Sequence, residues 1–192
     1  AWAALSGKNK NLFQVVEKVR DWIYWEAKAE FYLIITIILQ PFATWLNSGT
    51  LIPRLLMAAS IFVIAGTFYL NEIILPYWSM IMTIGASLLT VPRLRSIGAP
   101  LYAFALVYGP SLVVMCNVAA VALANQAFVS VPPPNPWPFD LIGLVDAIPR
   151  MEEAGFVVFE TSIRIMVSHA IAAALSAAAS GAFGGPGIRL RV

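Results

Sequence analysis

The feature that most constrains this chain is a series of five long stretches without a single charged residue: 31–53, 55–71, 73–92, 96–139 and 165–188. A helix that spans a bilayer needs about 20 mostly apolar residues, and each stretch approaches or exceeds that length. Charged residues make up 11% of the 192 residues, whereas soluble domains average about 25%. A soluble domain would need more charged surface to stay in solution. The sequence therefore predicts an all-α integral membrane protein.

Four segments are predicted to be transmembrane helices in one membrane domain at 31–185: 55–70, 73–91, 99–124 and 165–183. A fifth apolar segment, 31–47, is short and is interrupted by Gln40-Pro41, because proline removes a backbone donor and disfavours helix at the preceding residue.

The distribution of lysines and arginines favours a segment 31–47 that is re-entrant or lies in the membrane interface rather than one that crosses. Without a fifth crossing, all lysines and arginines except Arg150 and Arg164 fall on one side of the membrane, together with both termini. A crossing by 31–47 would instead split the basic residues seven against five.

The regions outside the predicted spans have distinct characters. Residues 1–30 form an amphipathic head in which Leu12, Val16, Val19 and Ile23 share one face, typical of a helix that lies in the membrane interface or packs on another subunit. A proline-rich loop is predicted at 125–155, and residues 186–192 form a basic tail.

Few residues within the predicted spans have side chains suited to catalysis or to ligand binding. Asn117 is the clearest polar residue in the middle of a span, and it is expected to bond to a neighbouring helix more often than to a substrate. Glu160 and Arg164 are four residues apart with the acid first, the favourable order for a helical ion pair. Their alternative role is a proton or anion site near the membrane boundary.

His169 is the one histidine of the chain and lies five residues beyond Arg164. A neutral imidazole can ligate haem iron or a chlorophyll magnesium, so His169 is a candidate cofactor ligand. A lone histidine supplies no second protein ligand, and the sequence shows no metal-cluster spacing. We therefore expect a structural, neutral His169 that hydrogen-bonds to another helix or chain, with no cofactor required and a pigment or haem ligand as the alternative.

Small residues recur along the last apolar segment. Ala170, Ala174 and Ala178 repeat at a spacing of four, and Ala172, Ser176 and Ser180 form a second row beside them. Small residues at this spacing let helix backbones approach closely inside a membrane. The pattern predicts a helix built to pack against other helices.

These features favour a non-catalytic accessory or assembly subunit of a larger membrane complex, not an enzyme, with the lipid bilayer and other membrane subunits as partners and no nucleic acid. If a transit peptide has been removed before the first residue, the protein is expected in an organellar inner or thylakoid membrane. There it would belong to a mitochondrial or chloroplast complex for energy transduction or protein import. Two alternatives remain open: a small transporter or channel component lined by Tyr108, Asn117 and the Glu160–Arg164 pair, and a subunit that holds a pigment or haem through His169.

Overall fold

The computed structural model describes residues 2–125 and 141–185, and these residues are almost entirely helical, with no strand among them. Four long α-helices and one short 3-10 helix follow in the order α1 Trp2–Ile35, the 3-10 helix Ile37–Leu39, α2 Gln40–Thr90, α3 Arg95–Ala124 and α4 Leu141–Ala182. The predicted all-α class is therefore confirmed. The basic tail at 186–192 and part of the proline-rich loop, 126–140, lie outside the described residues.

Helix α2 is the longest helix, and each of the other three α-helices packs along it. Helix α1 runs antiparallel to its first half, since Asn9 pairs with Asn71 and Glu26 pairs with Arg54. Helix α3 packs antiparallel to its second half. Helix α4 runs parallel to α2, because its contacts advance in step with those of α2: Ser162 lies against Ser60 and His169 against Thr67.

Two of the four predicted spans, 55–70 and 73–91, belong to one continuous helix. Helix α2 passes through Asn71 and Glu72 without a turn, and its 51 residues extend for about 77 Å at 1.5 Å per residue. Neither residue forces a helix to end, and the Asn9 side chain bonds to both of them. Among residues 2–125 and 141–185, three helices rather than four are therefore long and apolar enough to cross a membrane.

The segment 31–47 is also divided differently from the prediction. Helix α1 ends at Ile35, Thr36 has an extended backbone, and the 3-10 helix leads directly into α2. Pro41 occupies the first turn of α2, where its missing N–H would have no helical partner in any case. The proline therefore starts a helix instead of interrupting one.

The predicted loop 125–155 is wrong over its second part, because 141–155 is the first third of α4. Pro149 is contained within this helix. The charged residues Arg150, Glu152 and Glu153 occupy the outer side of this helix, where all three are exposed. Helix α4 buries its opposite side, including Met151 and Ala154.

The amphipathic face of the head is buried within the chain itself. Leu12, Val15, Val19 and Trp22 are almost fully buried where α1 packs against α2 and α3. Val16 and Ile23, which the sequence analysis assigned to this face, are only partly buried at its edge. Amphipathicity marks the face that leaves water but not the surface that covers it, so intramolecular packing replaces the predicted interfacial or intersubunit contact.

Two glycines allow the helix backbones to approach closely. A Cβ atom on Gly85 of α2 would lie 2.7 Å from the backbone nitrogen of Tyr102 in α3. A Cβ atom on Gly155 of α4 would lie 3.0 Å from the Cα atom of Pro53 in α2. Larger side chains at these positions would push the helix pairs apart.

Candidate functional site

The candidate site is centred on His169 of α4, which faces Thr67 of α2. The distance from His169 Nε2 to Thr67 Oγ1 is 3.0 Å, and the Thr67 hydroxyl donates its hydrogen to the carbonyl oxygen of Val63 at 2.8 Å. Because a hydroxyl has one hydrogen to donate, both bonds form together when Nε2 carries the ring proton. Nδ1 is then a hydrogen-bond acceptor, and it has no partner in the described part of the chain.

A chain of buried polar side chains runs beside His169 and connects α1, α2 and α3. The Tyr108 hydroxyl donates to Asn71 Oδ1 at 2.7 Å, and Asn71 Nδ2 donates to Asn9 Oδ1 at 2.9 Å. Asn9 Nδ2 in turn donates to Glu72 Oε1 at 2.9 Å. Asn9 and Asn71 are fully buried, so these mutual bonds meet the requirement that buried polar groups be paired.

Tyr108 joins this polar chain to the histidine. Its ring centroid lies 6.4 Å from that of His169, and both side chains line a groove of about 650 Å³ between α3 and α4. We refer to this as the His169 groove, and its other lining residues are Leu70, Pro100, Phe104, Ala172, Ala173, Ser176, Ala177 and Ser180. Most of its wall is apolar; the polar side chains are Tyr108 and His169 at one end, Ser180 at the other and Ser176 between them.

The two rows of small residues on α4 have different environments. Ala172 and Ser180 are buried and line the His169 groove together with Ser176. Ala170, Ala174 and Ala178 are exposed and are not part of the groove wall. The row of Ala172, Ser176 and Ser180 therefore faces α3, whereas the row of Ala170, Ala174 and Ala178 is left uncovered by the described residues of this chain.

The other residues singled out in the sequence lie away from His169. Glu160 and Arg164 form an ion pair on the outer side of α4, with side chains that are 61% and 57% exposed. Asn117 is exposed on α3, nine residues beyond Tyr108, and its side chain has no partner among the described residues. The structure does not bring Asn117, Tyr108 and the Glu160–Arg164 pair together in one path.

A second polar cluster, which the sequence analysis did not identify, joins α1 to α2. The Glu26 side chain is 2% exposed and pairs with Arg54, whose Nη1 lies 3.0 Å from Glu26 Oε1. The Thr50 hydroxyl donates to the same oxygen at 2.8 Å, while Asn47 bridges Arg54 and Glu30. The available signal was that Glu26 continues the buried spacing of Val19 and Trp22, which places an acid on the packed face.

The ligand chemistry at His169 is limited to one imidazole. Residues 2–125 and 141–185 contain no group of three or more His, Cys, Asp or Glu side chains placed to hold a metal ion. Nε2, the ring nitrogen that reaches furthest from α4, already contacts Thr67. Nδ1 is close to the Cβ atom of the side chain, so a small hydroxyl group can approach it more easily than the macrocycle of a haem or chlorophyll. Axial ligation by Nε2 would require the Thr67 bond to break.

Comparison of this chain with protein-family models, with curated proteins and with solved structures finds no match.

Proposed function

We propose that this chain is a non-catalytic integral membrane subunit that packs against other membrane subunits of a larger assembly. The observation that carries the proposal is the exposed row of Ala170, Ala174 and Ala178 on α4. Small residues repeated every four positions allow close backbone contact with a second helix, which is the main source of helix association in lipid. No helix in the described part of the chain packs against this row.

The arrangement of uncharged helix segments supports the membrane part of the proposal. Tyr102 of α3 lies against Gly85 of α2 and against the ring of Phe183, just beyond α4. Residues 73–92 are therefore level with the start of α3 and the end of α4, and we call this region the uncharged layer. The 18 residues of α2 in this layer, 73–90, correspond to about 27 Å, close to the thickness of the hydrocarbon core.

Charged residues lie at both edges of the uncharged layer. Glu72, Lys8 and Lys10 lie at one edge, because Asn9 bonds to Glu72, and Arg93 and Arg95 lie at the other. In this arrangement α1, the first halves of α2 and α4 and the second half of α3 project from the membrane as a helical extension. Exposed apolar side chains on this extension, including Ile37, Ile38 and Ile142, supply further surface for partner subunits.

Three crossings place the α1 end and the carboxyl end of the chain on opposite faces, unlike the four-span prediction. Single cysteines introduced near Lys10 and Gly185, in a Cys116→Ser background, would test this in sealed vesicles with a membrane-impermeant maleimide. We expect labelling of one site only from outside, and of the other only after the vesicles are opened. Labelling of both sites from one face would reject the three-crossing arrangement.

The association itself is tested by Ala174→Leu, which adds bulk in the middle of the exposed row. We expect this variant to lose its co-purifying membrane partners in mild detergent while keeping its own helical content. Ala59→Leu adds the same bulk to an exposed position on α2 and serves as the matched control. An unchanged complex in both Ala174→Leu and Ala178→Leu would show that this row faces lipid.

The organellar inner or thylakoid membrane remains part of the proposal, and fractionation of cells that express the tagged chain tests it. The transporter alternative has less structural support, because its candidate residues do not share a cavity. The pigment or haem alternative depends on His169 alone, and an absorbance spectrum of the purified complex distinguishes it from a purely structural role.

A further inference from the structure

We propose that the His169 groove binds a lipid alcohol that carries a hydroxyl at one end and a second oxygen about 16 Å away. This inference is independent of the proposed subunit contact, because the groove lies between α3 and α4 of the same chain. It is based on two polar groups that lack a partner, one near each end of an apolar wall.

The first polar group is His169 Nδ1. When Nε2 donates to Thr67, whose own hydrogen goes to the Val63 carbonyl, Nδ1 is an acceptor and selects a ligand that offers a hydrogen. A free hydroxyl satisfies this requirement, whereas an ether or a ketone does not. His169 is level with Thr67 and close to Tyr108, which bonds to Asn71 beside Glu72. The hydroxyl would therefore lie at the charged edge of the uncharged layer, where the polar head of a lipid normally lies.

The second polar group is the Ser180 hydroxyl. Ser180 is 5% exposed and lines the groove, and its Oγ has no hydrogen-bond partner in the described part of the chain. A buried hydroxyl without a partner costs free energy that a ligand oxygen would recover. Ser180 follows His169 by eleven residues, or about 16 Å of helix rise, which sets the spacing of the two ligand oxygens.

The wall between these groups suits an apolar body. On the α4 side it consists of small side chains such as Ala173 and Ala177, and on the α3 side it includes the rings of Phe104 and Pro100. Small residues on one side leave room for a ligand, and rings on the other provide a broad contact surface. A sterol with a hydroxylated side chain and a linear long-chain diol both have this chemistry.

The test uses the full chain in phosphatidylcholine nanodiscs with a diazirine-bearing sterol diol as the photoaffinity probe. Labelled peptides are identified by mass spectrometry, and unlabelled competitors are the sterol diol, the sterol with only its ring hydroxyl, the ring-hydroxyl methyl ether of the diol, and dodecane-1,12-diol. We expect saturable labelling of α3 and α4. The free diol should compete about five- to tenfold better than its methyl ether, the usual effect of one hydrogen bond.

Single-residue variants identify which groove residues contact the ligand. Ala177→Leu fills the groove and should abolish saturable labelling, whereas Ala59→Leu, which lies on α2 outside the groove, should retain it. His169→Phe should remove the preference for the free hydroxyl over its ether, and Ser180→Ala should remove the preference for the diol over the single alcohol. Circular dichroism checks that each variant is folded.

The competitors also distinguish the two sources of the ligand. Tighter competition by the linear diol than by the sterol diol would identify a long-chain lipid, and the converse would identify a sterol; either result supports a lipid alcohol. Equal competition by the diol and its methyl ether, or labelling that survives Ala177→Leu, would overturn the proposal. Lipid labelling that persists while Ala174→Leu leaves the complex intact would reject the subunit contact but not the groove.

Discussion

Asn9 and Asn71, 62 residues apart in the sequence, are joined by a 2.9 Å hydrogen bond in the interior of the bundle. Asn71 also accepts the hydroxyl of Tyr108, so one side chain links α1, α2 and α3. This link lies where the sequence suggested a break between two spans. Asn71 and Glu72, which the sequence analysis placed between two spans, are therefore the point at which α1, α2 and α3 are held in register.

Asn71→Ala should lower the free energy of unfolding by about 1–3 kcal/mol, because it leaves the buried Tyr108 hydroxyl and Asn9 amide without one of their partners. Unfolding in a denaturing detergent, followed by circular dichroism, measures the change. Asn117→Ala is the matched control, since Asn117 is exposed and its side chain has no partner in the described chain. Similar stabilities for the two variants would contradict the role assigned to Asn71.

Arg54→Met should destabilise the contact between α1 and α2, because it leaves the nearly buried Glu26 carboxylate without its cation. Loss of one partner of a buried pair costs about 3–5 kcal/mol, and the 32% exposure of the Arg54 side chain reduces our expectation to about 2–3 kcal/mol. The double variant Glu26→Met/Arg54→Met should recover part of this loss. Arg164→Met, which breaks an exposed pair, should change stability by less than about 1 kcal/mol.

Gly85→Ala should destabilise the packing of α2 on α3 by about 1–3 kcal/mol, the usual cost of overpacking. The added Cβ would lie 2.7 Å from the backbone nitrogen of Tyr102, so one helix must move. Gly66 is a control on the same helix, because a Cβ there has no neighbour within 4 Å. Gly66→Ala should raise stability by up to about 1 kcal/mol through helix propensity. A stabilising effect at both positions would show that α2 and α3 do not approach closely at Gly85.

His169→Gln retains a group able to bond to Thr67, whereas His169→Leu removes it. We expect assembly to persist in the Gln variant and the Leu variant to weaken by about 1 kcal/mol, the scale of an interhelical polar contact. Thermal stability and complex size are measured together with the visible absorbance spectrum. Loss of a stoichiometric pigment or haem in His169→Gln would replace the structural role with a ligand role.

Several properties follow from the sequence alone because they depend on local order along the chain. Long uncharged stretches predicted the all-α class, since such stretches cannot form a soluble surface. The spacing of Glu160 and Arg164 was enough to suggest their ion pair, because residues four apart are neighbours on any helix. The two rows of small residues on α4 were also evident, as helical periodicity alone separates them.

Only the tertiary structure decided which surfaces those helices cover. Asn71 and Glu72 are compatible with a turn or with a helix, and it is Asn9, far away in the sequence, that bonds to them in the continuous α2. Helical periodicity cannot tell whether a small-residue row faces α3 or the outside, nor that Glu26 meets Arg54. These outcomes depend on contacts between residues remote in sequence, and apolar patterning identifies a face that leaves water without identifying the surface that receives it.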